Sequence, residues 1–529
     1  MAGFETLLGL LLAATALAVI ARRLKLPVPV VMVLGGVGVA TLVPHGRLIE
    51  IEPDLAFGIF VPPLLFSGAI STSLRGLRAN ARAILRLAVG LVIATALVVA
   101  VVARTFVHAL DWHGAFVLGA IVAPPDAIVA IALARALRMS RRTVNVLEGE
   151  TLLNDTTAFV IYRLAVRAAT TGAFDARTAV PLFLLVATGG AVVGWVVYRV
   201  VRFMSERLAD PVLETVLLLL TPFAAYLLAE ALGASGVLAV VVAGVLLRRS
   251  SALLVPARAR LQGSAVYSVV EFVLNSLVFI LIGMQLGQIL RDPQASSIGG
   301  VLRATLVTGA TVVAVRIVWV FASAYLPRLS RRFRERGRLA SFGNVTIVAW
   351  TGIRGGDSLV AALAVPHVTA HGMPLPGREL IVATTFGVIL LTLLVQGLSL
   401  APLVRVLDQA PDRSREEEEV LARQHMIAAG EALLERRQRD GDVPEAVIER
   451  VRRKHREQGE LEIALKIDDE GRRLGAMERT LERELLGARR RAAVHLQRDQ
   501  VIDDAVLHEL ERELDLEEVR LADSEPDQV

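Results

Sequence analysis

Three stretches put charge where the surrounding sequence is apolar. They are Glu148-Gly149-Glu150-Thr151-Leu152-Leu153-Asn154-Asp155, Asp126 behind Pro124-Pro125, and Arg354 with Asp357 in Gly352-Ile353-Arg354-Gly355-Gly356-Asp357. A charge at the centre of a bilayer costs about 2.5–3.5 kcal/mol on insertion scales, so each of these residues needs a role. A carboxyl out of water can be neutralised by a proton or by a cation. Competition between the two for one carboxyl is exchange without a covalent step. Oxygen ligands for Na⁺ would come from Asp155, Asp126, Asn154 and backbone carbonyls around Pro125. Pro124 and Pro125 have no N–H, so carbonyls one turn earlier lose their helical donors and face a break.

Glu150 and Asn154 are four apart and share a helical face, with Asp155 to its side and Thr151 one turn behind Asp155. Arg354 needs a counter-charge. Glu150 is the first choice and Asp357 the second, and such a pair reads first as a lock between helices. The plain reading of Asp126 is a helix cap. Glu271 and Asn275 share a face of another span, where packing or a dimer contact is the default, and Gly190 with Gly194 reads as close packing. Arg316 is expected to snorkel or to pair with Glu271 or Glu214, and Glu230 to be solvated near a helix end. No His has metal-ligand company in the apolar part, and no Walker sequence, nucleophile elbow or HExxH motif occurs. The reading is therefore of a non-enzyme without a cofactor, its Na⁺ and H⁺ being cargo.

The elements that position these residues follow from an uneven composition. Of 529 residues 54% are hydrophobic and none is Cys, which excludes disulfides and thiolate metal sites. Residues 1–407 hold 35 Lys+Arg against 19 Asp+Glu, whereas residues 408–529 hold 22 against 33, so the net charges are +16 and −11. The basic excess sits in short loops and the large polar region is acidic, so nucleic acid is not an expected partner; the lipid bilayer is.

Thirteen apolar spans fall near 4–21, 26–44, 54–71, 82–106, 113–136, 144–168, 178–202, 212–231, 234–248, 265–290, 299–326, 341–365 and 378–406. Most suit the ~20 residues of a crossing helix. At ~1.5 Å per residue Asp155 lies ~16 Å into its span, near the bilayer centre, and Asp126 and Arg354 reach similar depth. Alternate loops carry 23 Lys and Arg, from Arg22 and Arg23 to the Arg328–Arg338 loop, against about six on the other side. The positive-inside rule puts the N-terminus outside and the charged tail in the cytoplasm. Thirteen spans divide as six, one and six, which pairs span 5 with span 12 as two interrupted helices of an inverted repeat, a pointer to a transport site at the midplane.

The expected fold is all-α: a polytopic membrane domain over 1–407 and a helical cytoplasmic domain over 408–529. In the tail, 416–518 reads as amphipathic helices broken at Gly441-Asp442-Val443-Pro444 and at Gly471, with dense charge as a solvated face. The last residues, Asp523 to Val529, read as disordered.

The sequence Glu148 to Asp155 resembles the EGESLLND signature of bacterial sodium/proton antiporters of the NhaP type, in monovalent cation:proton antiporter family one. Pro62-Pro63-Leu64-Leu65-Phe66, Phe272 to Gly283 (FVLNSLVFILIG) and Gly352-Ile353-Arg354-Gly355 extend the resemblance over roughly 1–407. It implies two inverted repeats in a homodimer, one ion site per protomer, and an elevator-like movement of a core domain. It also implies that Asp155 carries the ion and the proton, with Asn154 as structural neighbour and Asp126 as the acid of the unwound span. Glu150 with Arg354 matches the family's buried ion pair, and the Asn-Asp form is linked to electroneutral exchange. Three positions depart from the family. Pro125-Asp126-Ala127 replaces the common Thr-Asp-Pro, Ser67 stands where many relatives carry an acid, and Asp357 is an extra carboxylate.

The expected function is exchange of a monovalent cation, Na⁺ first, for H⁺ at the inner (plasma) membrane. A K⁺/H⁺ antiporter of the same fold is the alternative, and a cation-regulated channel or sensor a further one.

Overall fold

The computed structural model describes residues 2–24, 27–42, 53–72, 74–126, 131, 139–172, 176–208, 210–254, 257–289, 298–326, 341–369, 372–407, 414–441, 443–467, 469–499, 501, 506–507, 510 and 513–518. The second half of the expected fifth span, the Arg328–Arg338 loop and the end from Asp523 lie outside these residues. Contacts divide the chain into a membrane-type unit (Met1–Arg135 and Arg142–Gln409) and a tail unit that includes Ala410–Val529.

In the first unit the apolar runs become helices. They are α1 (Ala2–Leu24), α2 (Val28–Leu42), α3 (Pro53–Ser71), α4 (Leu74–Phe106) and α5 (Trp112–Val122). Then come α6 (Arg141–Thr171), α7 (Ala176–Ser205), α8 (Pro211–Ala231), α9 (Gly236–Leu254), α10 (Ala257–Ile289) and α11 (Ile298–Tyr325). The unit ends with α12 (Phe342–Trp350), α13 (Gly356–Leu363) and α14 (Arg378–Val406). No strand forms among the described residues beyond one bridge between Val368 and Pro374. Six of these helices are long and apolar enough to cross a membrane by length and composition, namely α4, α11, α14 and the apolar stretches of α7, α8 and α10.

Local chemistry sets the ends. The side chain of Asp111 accepts from the Gly114 N–H (2.7 Å) and starts α5, and Asp210 accepts from Val212 N–H (2.7 Å) with Pro211 in the first turn of α8. Ser341 starts α12 in the same way, through the Asn344 N–H at 3.2 Å. Gly190 and Gly194 let α7 lie against α9: an added Cβ would stand 2.4 Å from the Ser235 carbonyl oxygen and 2.3 Å from that of Ala239. Packing is thus what this pair of glycines does.

Two large apolar cores form among the described residues, beside two smaller ones. One gathers Phe66, Ile280, Phe386 and their neighbours from α3, α10 and α14; the other gathers Leu118, Ile121 and Ile381 from α5 and α14. Helix α14 thus reaches both. Each of α4 and α14 contains a π-helical turn, over Arg86–Leu91 and Leu393–Gly397.

The tail unit contains α15 (Ser414–Asp440), α16 (Glu445–Ile467) and α17 (Asp469–Arg498). The first break occurs as expected: α15 stops at Asp440, Gly441 takes a left-handed φ of 68°, and Pro444 precedes α16. The second expected break does not fall at Gly471. Gly471 lies inside α17, two residues past its start, because one glycine costs a helix only about 1 kcal/mol and flanking helix formers absorb that.

Candidate ion site

A helix end and an interrupted helix meet at the site. Helix α5 ends at Val122, and residues 123–126 continue without helix. Helix α12 ends at Trp350, residues 351–355 are irregular, and α13 restarts at Gly356. The prolines explain the first break: neither can donate back along a helix. The second is closed by Thr351, whose N–H bonds the Ile347 carbonyl (2.9 Å), and by the extended Gly355 before α13.

The two breaks bond to each other. The Asp126 N–H donates to the Ile353 carbonyl at 2.7 Å. Gly355 makes this approach possible, since an added Cβ there would stand 1.8 Å from Asp126 Oδ2. Helix α6 supplies the third side. Asn154 Nδ2 donates to the Pro125 carbonyl at 2.7 Å, so Pro125 is held through the carbonyl that the sequence exposes.

Arg354 serves the breaks and not Glu150. Its Nε donates to the Val122 carbonyl (2.8 Å), Nη2 to that of Ala123 (3.3 Å) and Nη1 to that of Gly352. Its own N–H donates to Thr392 Oγ1 at 3.0 Å. One guanidinium thus satisfies the carbonyls that the end of α5 leaves bare, where the helix dipole is negative.

The expected pairing of Glu150 with Arg354 is therefore corrected. Glu150 is held by Arg316 of α11, in a fork of 2.5 Å (Nη1 to Oε1) and 3.0 Å (Nη2 to Oε2). Arg316 Nε also caps the end of α12 at the Val348 carbonyl (3.2 Å). Glu150 and Arg316 are 0% and 1% exposed, so neither snorkels. The expected partners of Arg316 have other arrangements. Glu271 accepts from Ser67 Oγ at 2.8 Å, and neither carboxylate oxygen of Glu214 has a partner among the described residues. Glu230 is not simply solvated either; it pairs with Arg163 and accepts from the Gly236 N–H at 3.2 Å.

Asp155 is 3% exposed and its side chain has no cationic partner among the described residues. Asp357 lines the same small void beside it, and Asp126 is close enough to act on it through charge. Asp357 thus departs from its expected place as a rival for Arg354. It stands in the first turn of α13, where a helix N-terminus favours a negative group. Asp155 and Asp357 share a void of about 10 Å³ with Pro124, Phe159 and Tyr162, which is about the room one water takes. Asn154 Oδ1 and Ser358 Oγ, both buried, have no partner among the described residues.

Thr151 turns away from this cluster and donates to the Leu147 carbonyl of its own helix at 3.0 Å. Glu271 lies in a different cavity, with Ser67. Of the sequence-predicted residues, the structure brings together Asp155, Asn154, Pro125, Asp126, Arg354 and Asp357. Arg316 was missed as the partner of Glu150. Its position near the middle of α11, between Ile298 and Tyr325, was the available signal, because a mid-membrane arginine has no route to water.

Residues 9–406 match the family described as "Sodium/hydrogen exchanger, transmembrane". An uncharacterized Na(+)/H(+) exchanger of Mycobacterium tuberculosis is 35% identical, over 98% of this chain and 96% of its own length. A sodium, potassium, lithium and rubidium/H(+) antiporter of Bacillus pumilus is 32% identical over 70% of this chain and 56% of its own length. Among solved structures, the sodium proton antiporter MjNhaP1 of Methanocaldococcus jannaschii superimposes with a TM-score of 0.58 at 19% identity, covering 76% of this chain and 98% of that one. The resemblance to NhaP-type antiporters read from the signature around Asp155 therefore stands, and the chain belongs to the sodium/hydrogen exchanger family of cation/proton antiporters.

Proposed function

We propose that the protein exchanges one Na⁺ for one H⁺ at a site centred on the carboxyls of Asp155 and Asp357, with Asp126 as the third acid. Two carboxyls side by side out of water favour a proton on one of them. A cation entering between them takes the place of that proton, and the two cargoes exclude one another by electrostatics. Asn154 and Arg354 position the breaks, and the carbonyls of the unwound segment add oxygen ligands. The observation that carries this reading is that Asp155 faces a second carboxyl and no arginine, while the neighbouring Glu150 is fully neutralised.

The protein works as a homodimer in the plasma membrane, N-terminus outside and tail in the cytoplasm, by alternating access of a core that carries α6 and the two breaks. The asymmetry of the loop arginines supports the orientation. The name of the Bacillus relative supports a second cargo reading, K⁺ in place of Na⁺.

Ion-driven proton movement in proteoliposomes tests both. Na⁺ evokes proton flux in the wild type, and Asp155→Asn abolishes it while the protein remains folded. Flux with K⁺ alone selects the second reading. Flux that survives in Asp155→Asn removes the site.

A further inference from the structure

A cavity of about 630 Å³ opens between α6 and α8, with the start of α9 and the end of α13 beside it. Asp155, Phe159, Tyr162, Val166 and Thr170 follow one another along α6 at spacings of four, three, four and four, which keeps them on one helical face. Phe159 and Tyr162 border both the void beside Asp155 and this cavity, and Val166 and Thr170 carry the cavity onward. Helix α13 repeats the pattern. Asp357 and Ala361 border the void, and Ala364, three residues on, borders the cavity. Two helices thus lead from the void to the cavity, and the aromatic pair of α6 stands where the two spaces meet.

The spaces differ in what they can hold. The void of about 10 Å³ has room for about one water, whereas the cavity has room for a cation with its water shell. From Asp155 to Thr170 the helix rises ~22 Å at ~1.5 Å per residue, more than half of a ~30 Å hydrocarbon core. The boundary between dry and wet falls at the aromatic layer: Tyr162 is 7% exposed, and the side chain of Arg163, next in the chain, is 48% exposed. Arg163 is matched by Glu230 of α8, and Arg167, which is exposed, is screened by water. This half of α6 lies opposite the end that begins at Arg141-Arg142, so on the proposed orientation the cavity opens outward.

From this geometry we infer that the cavity is the outer vestibule of the ion path, and that Phe159 and Tyr162 are the barrier a cation crosses to reach Asp155. The inference rests on the exchange reading of Asp155. The cation sheds its water shell at this layer, because the void beyond it holds about one water. Phe159 presents an apolar ring, and Tyr162 adds a hydroxyl oxygen that can take the place of one lost water.

The chain has no Cys, so a single introduced thiol reports access without a background. The test is the rate at which a membrane-impermeant methanethiosulfonate reagent modifies the full-length protein, in spheroplasts, which present the outer face, and in inside-out vesicles. Val166→Cys, on the vestibule side, should react in spheroplasts and at least about tenfold more slowly in inside-out vesicles. Ala361→Cys, on the void side, should react in spheroplasts at least about tenfold more slowly than Val166→Cys, since the reagent must wait for the barrier to open. Adding Phe159→Ala or Tyr162→Ala to Ala361→Cys should raise its rate about tenfold. The same truncations should leave the rate at Val166→Cys as it was, which also shows that the vestibule remains folded. Modification of Val166→Cys in inside-out vesicles alone overturns the vestibule. Reaction of Ala361→Cys as fast as that of Val166→Cys, or a rate that neither truncation changes, overturns the barrier. Labelling reads access and needs no exchange, so loss of Na⁺-evoked flux with this pattern intact would count against the site at Asp155 and not against the passage.

Discussion

Glu150 and Asp155 stand five residues apart on α6, both out of water, and meet opposite surroundings. Glu150 receives a two-bond fork from Arg316, at 2.5 and 3.0 Å. Asp155 receives no cation and faces Asp357. A matched buried pair has nothing left to bind, and removing either partner leaves the other charge stranded. A carboxyl beside another carboxyl is incomplete until a proton or a metal cation arrives. On the proposed reading, one helix therefore carries a permanent lock and an exchangeable site a turn and a half apart. What separates them is the identity of the facing residue, Arg316 from α11 or Asp357 from α13.

The lock gives the largest expected effect. Arg316→Ala strands Glu150 and also frees the Val348 carbonyl at the end of α12. A loss of about 3–5 kcal/mol of stability is expected, read as a fall in thermal unfolding temperature in detergent. The double change Arg316→Met with Glu150→Gln should recover most of that loss, since a neutral pair needs no counter-charge. Full stability in Arg316→Ala would mean that the fork does not lock the helices, and the contrast with Asp155 would collapse.

The exchangeable site gives the next effect. In Asp357→Asn an amide N–H can bond Asp155 permanently, and one acidic oxygen donor for the cation is gone. The half-saturating Na⁺ concentration for proton flux should rise about tenfold, which is about 1.4 kcal/mol. An unchanged value would reduce Asp357 to a helix N-terminal charge. A smaller effect is expected where α6 is tied to α8 by Arg163 and Glu230. That pair is partly exposed, at 48% and 28%, so it contributes about 0–1 kcal/mol. The proposed alternating access moves α6 against α8, so Glu230→Gln should raise the turnover rate, by up to about fivefold. The glutamine oxygen can still accept from the Gly236 N–H, which confines the change to charge. A slower or unaltered rate would show that this pair does not restrain the motion.

Much of this contrast was legible in the sequence, and for identifiable reasons. Depth and helical spacing placed Asp155, Asn154 and Asp126 together because a bilayer fixes how far along a helix a charge can lie. Pro124-Pro125 and the glycines around Arg354 announced the breaks, since proline and glycine act locally. The partners were not legible. Glu150 and Arg316 are 166 residues apart, and the sequence offered four other arginine–acid pairings, Arg354 with Glu150 or Asp357 and Arg316 with Glu271 or Glu214. Only the packing of α11 against α12, which brings Arg316 to the Val348 carbonyl, selects one. Asp357 was misread for a different reason. Paired acids look repulsive when the shared proton or cation is not written in the sequence, so a salt bridge to Arg354 was the easier reading.

The tail offers the exposed counterpart to the Glu150 lock and the smallest expected effect. Glu431 on α15 accepts from Arg456 Nε of α16 at 2.6 Å, with Arg452 at 3.5 Å. The hydrogen bond from Arg456 holds the Glu431 carboxyl below its ordinary value of 4.5, against a smaller opposing effect of burial. A carboxyl depressed by folding adds stability that is fully present above its unfolded value and is lost as pH falls through its folded value. The contribution of this pair is therefore complete at pH 7, starts to fall below about pH 4.5 and is gone only below the depressed folded value. Water screens it, unlike the fork at Glu150, so Glu431→Gln should reduce amide protection in α15 and α16 at pH 7 by at most about threefold. The wild type and the variant should converge as the pH falls, while proton flux is unchanged. A loss as large as that of Arg316→Ala would mean that burial is not what separates a strong pair from a weak one in this protein.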